Sequence, residues 1–212
     1  FFEGTDFIWE QISTGEVKLE CRNRVFTLPK PALIGPHQIQ NAALAAASII
    51  YSDNFTPLDD RLFSGIGFAK WPGRVQFIDE GTLLNYRDAR PIWIDGAHNS
   101  HGATALAASL AQITEEKWTL IAGMLNTRKP DDVFMPLKNL ITEIFTITIP
   151  GQPASVSAQE LSDNCQDLGI KATAKSSLSA ALSATSESEF VVICGSLYLA
   201  GHALLLNDTL PE

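Results

Sequence analysis

Asp95, His98, Asn99, Ser100 and His101 stand together in the stretch Ile92-Trp93-Ile94-Asp95-Gly96-Ala97-His98-Asn99-Ser100-His101-Gly102. A carboxylate accepts hydrogen bonds, an amide both gives and takes them, and an imidazole exchanges a proton near neutrality. Such a set can hold a hydroxylated ligand such as a ribose through Asp95, or cap a helix through Asp95, Asn99 or Ser100. Metal binding is the poorer option. His98 and His101 share a helical face at their spacing, but Asp95 alone is near enough to join them, and zinc takes three or four protein ligands.

Three further stretches carry polar chemistry. In Trp71-Pro72-Gly73-Arg74 a glycine precedes an arginine, whose planar, permanently charged fork suits a phosphate or carboxylate, or simply solvent after a turn. In Gly35-Pro36-His37-Gln38-Ile39-Gln40-Asn41 the amide of Asn41 offers the donor and acceptor that an adenine edge requires, or ties down a neighbouring loop. In Ile193-Cys194-Gly195-Ser196 a strand, a glycine and a hydroxyl precede a helix, an arrangement for an anion at a helix N-terminus or for a plain N-cap. The loop Gly123 to Lys129 adds two cations, Arg128 and Lys129, expected on the same sheet edge as Asp95 and mostly solvated.

The elements that position these groups follow from patterning. Residues 7–28 read as three short strands in a meander, and three prolines then precede a helix over His37–Tyr51 with small residues on most faces. A second helical pattern spans Leu58–Ala69. Beyond Pro72, apolar runs at Val75–Ile78, Ile92–Ile94, Trp118–Ala122, Ile144–Ile149 and Phe190–Cys194 alternate with helical segments near 100–113, 130–140, 157–168, 177–186 and 196–206. Near-continuous apolar strands alternating with helices predict an α/β fold with a doubly wound, mostly parallel sheet over 72–212. Ligands in such sheets sit outside the carboxyl ends of the strands, where Asp95 is expected.

At 212 residues the chain has room for one large domain or one domain with part of another, and 45% hydrophobic with 18% charged residues is ordinary for a globular chain. A net charge of −9 without a basic run argues against nucleic acid and anionic membrane as partners. Cys21, Cys165 and Cys194 are far apart and odd in number, which points to a reducing, cytoplasmic compartment. No apolar run nears the ~20 residues needed to span a bilayer. The opening Phe1-Phe2 suggests a processed or truncated product.

Taken in order, "FFEGTDFIWE", "LIGPHQIQNAALA", "WPGRVQ", "IDGAHNSHGA", "IAGMLNT", "IPGQPASVSAQEL" and "ICGSLYLAG" resemble the C-terminal half of the folylpolyglutamate synthase/dihydrofolate synthase family of the Mur ligase superfamily. The resemblance implies an ATP- and Mg2+-dependent ligase that phosphorylates a pteroate or folate carboxylate and lets the amino group of L-glutamate attack the acyl phosphate. It places Asn41 near the adenine, Arg74 at the phosphates, Asp95 on the ribose and His98 near the reacting centre and the glutamate side. By the same resemblance, residues 1–56 match the end of the central ATP-binding domain, 57–71 a linking helical region and 72–212 the C-terminal glutamate ligase domain. The strand-end cluster would be that domain's share of the ATP site, in a parent enzyme expected to be monomeric.

The departures set further expectations. No GxxxxGK[ST] phosphate loop occurs, and the magnesium ligands and the lysine that is commonly carbamylated in the family belong to the upstream part, so the chain alone is expected to lack ligase activity. Strands 7–28 would then have lost sheet partners and left an exposed edge. Where relatives carry a Lys-Asp pair, this chain has Asn126-Thr127-Arg128-Lys129. A Rossmann cofactor enzyme would need GxGxxG, and a serine hydrolase GxSxG; neither is present. The competing class is a non-catalytic α/β nucleotide-binding or interaction module.

Overall fold

The computed structural model describes residues 2–52, 60–185, 188 and 190–209. The chain divides into two compact units, Phe1–Trp71 and Pro72–Glu212.

In the first unit, strands β1 (Phe7–Gln11), β2 (Val17–Cys21) and β3 (Arg24–Leu28) form an antiparallel meander. Alternation buries Val17, Leu19, Cys21, Phe26 and Leu28 and turns Ile8, Glu10 and Val25 to solvent. The β2–β3 connection is the two-residue loop Arg22-Asn23, with both residues at positive φ (49° and 58°), the twist that suits a tight hairpin. Arginine rarely adopts that geometry, and here its guanidinium donates to the carbonyls of Ile50 and Tyr51 at 3.2 and 3.4 Å. Those carbonyls end helix α1 (His37–Tyr51), where a cation complements the helix dipole. Small residues Ala43, Ala46 and Ala47 let α1 pack closely on the sheet, with Phe26 and Phe63 edge to face at 5.7 Å in the same core.

Of the helix expected over Leu58–Ala69, the beginning lies outside the described residues. The remainder, Asp60–Phe68, is a 3-10 helix. Two glycines, Gly65 and Gly67, disfavour a regular α-helix there.

The second unit is a six-stranded sheet in the order β4-β5-β9-β6-β7-β8, from strands β4 (Gln76–Ile78), β5 (Ile92–Ile94), β6 (Trp118–Ala122), β7 (Ile141–Thr146), β8 (Ala172–Ala174) and β9 (Val191–Cys194). Only β4 runs antiparallel; the rest are parallel. β5, β6 and β9 are buried along their whole length, which is why they read as unbroken apolar runs. Helices α2 (Ser100–Ile113), α3 (Pro130–Phe134) and α4 (Ala158–Asp167) neighbour one another, whereas α5 (Leu178–Ser183) and α6 (Leu197–Leu206) both pack on a 3-10 segment, Thr82–Arg87. The doubly wound, mostly parallel α/β sheet is therefore present.

Several boundaries differ from the sequence expectation, each for a local reason. β4 starts at Gln76 because Val75 takes a φ of 45°, which no strand accommodates. β7 starts at Ile141 and ends at Thr146, after which the apolar run continues as a loop whose Ile147 N–H bonds the Ala122 carbonyl. The helix near 130–140 stops at Phe134 and resumes only as a 3-10 turn, Lys138–Leu140. β8 carries no apolar run, since Thr173 is exposed on a short strand at the sheet edge. Arg87 is buried, donating to the Thr185 hydroxyl and the Ser188 carbonyl, and burial pushes its pKa down to about 10. Among the described residues no helix is long and apolar enough to cross a membrane.

Leu120 sits fully buried at the middle of β6, which has a strand partner on both sides. Leu120→Ala is expected to lower the unfolding free energy by about 2–5 kcal/mol, read as a lower urea midpoint at unchanged slope.

Candidate functional site

Three loops meet at the carboxyl ends of β5, β9 and β6. β9 lies between the other two, so the chain skips a position in the sheet on passing from β5 through α2 to β6. The chain then returns from β8 at the edge to β9 in the skipped place, and such a reversal of strand order opens the crevice in which α/β sheets bind ligands.

The first loop belongs to β5. The Asp95 N–H still follows the sheet, donating to the Ile193 carbonyl at 2.9 Å, but its side chain turns inward and is only 5% exposed. One carboxylate oxygen accepts from the Ala97 N–H at 2.7 Å, and the other from the Val75 N–H at 2.9 Å. The Gly96 N–H donates to the Gly73 carbonyl at 2.8 Å, so the Gly73-Arg74-Val75 turn is fastened to the β5 loop at two points. Gly73 has a φ of 68° and its N–H is taken by the Gln76 side chain at 2.9 Å. Val75, β-branched and buried, is held in the left-handed region at a cost of order 1–3 kcal/mol. Half-buried Arg74 is the charged group this turn presents.

The second loop follows β9. The Gly195 N–H donates to the Ala97 carbonyl at 2.9 Å. Its φ is 102°, and a Cβ there would come within 2.8 Å of the Gly123 carbonyl oxygen, so glycine is required by both backbone and neighbour. Ser196 then caps α6, its hydroxyl oxygen accepting from the Tyr198 N–H at 3.1 Å. The third loop, Gly123 to Lys129, follows β6. Met124, Leu125, Thr127 and Arg128 from it join His98, Gly195, Ser196, Leu197 and Tyr198 around a cavity of about 120 Å³.

The His98 Nδ1 lies 2.8 Å from the Gly96 carbonyl. A carbonyl only accepts, so Nδ1 bears a hydrogen, and in the neutral form of the ring Nε2 keeps its lone pair for another partner. Asn99 caps α2, its side-chain oxygen accepting from the Gly102 N–H at 2.8 Å, and His101 is exposed on the first turn. Among the described residues no three His, Cys, Asp or Glu side chains come together as a metal site.

Arg74, Asp95 and His98 thus share one end of the second unit's sheet. Asn41 belongs to the first unit, exposed on α1, with its side-chain amide donating to the Gln38 side chain at 3.2 Å. Sequence reasoning did not find Tyr198 or Thr127 as cavity residues. The "GSLYL" and "MLNT" segments were visible as strand-end loops, but which side chains turn inward depends on the tertiary path.

The fold is that of an α/β domain of the Mur ligase C-terminal type, with a crevice at the ends of its parallel strands. The family model for the dihydrofolate synthetase C-terminal domain matches residues 83–206, and the chain belongs to that family. It is 32% identical over 122 residues to the dihydrofolate synthase/folylpolyglutamate synthase of Bacillus subtilis, covering 56% of this chain and 25% of that protein. To the folylpolyglutamate synthase of Lacticaseibacillus casei it is 28% identical over 180 residues, covering 84% and 40%. A solved bifunctional folylpolyglutamate synthase/dihydrofolate synthase with Mn, AMPPNP and L-glutamate bound superposes with a TM-score of 0.78 at 26% identity, over 97% of this chain and 47% of that one. The chain therefore spans less than half the length of each of these relatives.

Burial raises the Asp95 carboxyl above its ordinary 3.8, while the Val75 and Ala97 N–H groups and the charges of Arg74 and His98 act in the other direction. The folded protein thus holds this proton to higher pH than the unfolded chain. Its contribution to stability is full below the ordinary value and is lost as pH rises through the raised one. The carboxyl carbon of Asp95 is expected to titrate with a midpoint above 3.8 by NMR. Over about pH 3 to pH 7, the stability of the wild type relative to D95N is expected to fall across the same window and then level off.

Proposed function

We propose that these 212 residues are the C-terminal part of an ATP-dependent amide ligase that joins L-glutamate to dihydropteroate or to folates through an acyl phosphate, as a cytoplasmic, monomeric enzyme. Residues 1–56 would close its central ATP-binding domain, 57–71 connect, and 72–212 form the C-terminal ligase domain. The names of the relatives support the reaction class. The observation that carries the reading is the Asp95 carboxylate, which fastens the turn bearing Arg74 to the loop bearing His98, itself one wall of the strand-end cavity.

An anionic nucleotide fits this edge. The N–H groups of Gly73 and Val75 are engaged by Gln76 and Asp95, so the half-buried guanidinium of Arg74 is what the turn has to offer a phosphate. Asp95 keeps unshared lone pairs on both oxygens, enough to accept from a ribose hydroxyl; the role at the adenine that the family resemblance gives Asn41 falls on an amide with both a donor and an acceptor. ATP supplies the phosphoryl group that activates the substrate carboxylate. His98, protonated at Nδ1, presents Nε2 to take a hydrogen bond or a proton from the attacking amino group. Among the described residues no three His, Cys, Asp or Glu side chains cluster at this edge; with the family resemblance, the Mg2+ ligands are assigned to the part of the ligase upstream of this chain, and no step here passes through the metal.

Phosphate release with dihydropteroate, L-glutamate, ATP and magnesium tests the reading. The 212-residue chain alone is expected to stay at the no-enzyme rate, because it contains no GxxxxGK[ST] loop. In the complete ligase, Arg74→Ala is expected to lower kcat/KM for ATP by about tenfold or more, or ~1.4 kcal/mol. An unchanged value would remove Arg74 from the nucleotide site. A non-catalytic interaction module, by contrast, would show no ATP-dependent rise in melting temperature in that complete protein, where ligand binding adds RT ln(1 + [L]/Kd).

A further inference from the structure

The segment Ile149-Pro150-Gly151-Gln152-Pro153-Ala154-Ser155-Val156 contributes no residue to the lining of the cavity. It is nevertheless bonded to the loop that does. The Asn126 N–H donates to the Ala154 carbonyl at 2.9 Å, the Val156 N–H donates to the Met124 carbonyl at 2.9 Å, and Leu125 and Ser155 form an antiparallel bridge. This pairing fixes the loop immediately before Thr127 and Arg128.

The segment is in turn held by one hydroxyl. Ser155 Oγ accepts from the Ile149 N–H at 2.8 Å and donates to the Val156 carbonyl at 3.0 Å, joining the two ends of the turn, while the Ser155 N–H donates to the Gln152 carbonyl at 2.9 Å. Ile149 and Val156 are buried, so the Ile149 N–H depends on this hydroxyl in place of water. Arg128 is exposed and lines the cavity beside His98 and Ser196, so its reach follows from where the backbone of the loop is held.

We infer that Ser155 is a positioning residue: it locks the 149–156 turn, which clamps the 123–126 loop and so sets Arg128 against the carboxylate-bearing substrate. The inference rests on the proposed ligase reading for the identity of that substrate, L-glutamate, but not for the clamp itself.

Two measurements test it separately. In the 212-residue chain, hydrogen exchange of the Asn126 amide is expected to be about tenfold faster or more in S155A, with β6 amides unchanged, and to be restored in S155T. Unchanged exchange would overturn the clamp whatever the protein catalyses. In the complete ligase, S155A is expected to raise KM for L-glutamate about fivefold, the scale of one lost hydrogen bond, with kcat and KM for ATP within about twofold. R128A is expected to raise the same KM, and adding S155A to it should change little, because both act through one guanidinium. Faster exchange with an unchanged KM, or fully additive effects, would overturn the role in substrate binding. A wild-type ligase inactive with L-glutamate would instead sink the proposed function and leave the exchange result to decide the clamp.

Discussion

A buried carboxylate shared between two loops is the constraint on which the second unit's site depends. Asp95 is withdrawn from water, which disfavours its charge, and is compensated by N–H groups from Ala97 on its own loop and Val75 on another. The compensation is mutual. Val75 stays in a backbone region hostile to β-branched residues because its N–H has a partner there, and the surrounding structure over-determines that geometry. Remove the carboxylate and, among the described residues, the Gly96-to-Gly73 bond is left as the hydrogen bond from the Arg74 turn to the β5 loop. The pairing of an acid with a strained backbone twenty residues upstream, roughly the separation over which a hairpin returns, makes one functional edge out of two distant pieces of sequence.

The same edge shows how helix capping and ligand presentation share residues. Asn99 and Ser196 each satisfy the first turn of the helix that follows, α2 and α6, and each stands next to a group that faces the crevice, His98 and Gly195. The choice between cap and ligand contact posed by the sequence is therefore a false one for Ser196. Its oxygen accepts from the Tyr198 N–H while the residue still lines the cavity, and its hydroxyl proton is free to point elsewhere.

What could be read in the sequence was what burial writes into it. Strands β5, β6 and β9 are covered on both faces and appear as apolar runs, and α1, α2 and α6 appear as long helix-favouring stretches. β8 left no such trace, because a three-residue edge strand needs few apolar side chains to hold its place. Left-handed Val75 was invisible for a different reason: the residue type argues against the conformation, and only the distant Asp95 explains it. For the site, Asp95, His98 and Arg74 stood out through their place at strand ends and through a family resemblance. The proposal for the 149–156 turn required the pairing of two loops that lie a strand and a helix apart in the chain, and no local pattern records that.

The central place of β9 bears on how the domain comes into being. β5 and β6 do not touch each other as strands; each pairs with β9, which is the last strand of the sheet in chain order. On a ribosome, the two strands emerge well before the one that joins them, and their hydrogen-bonding edges and apolar faces await a segment still unmade. The crevice cannot exist in a nascent chain. Its walls are brought together by the insertion of a late strand into a gap, so assembly of the ligand edge and completion of the sheet are a single event.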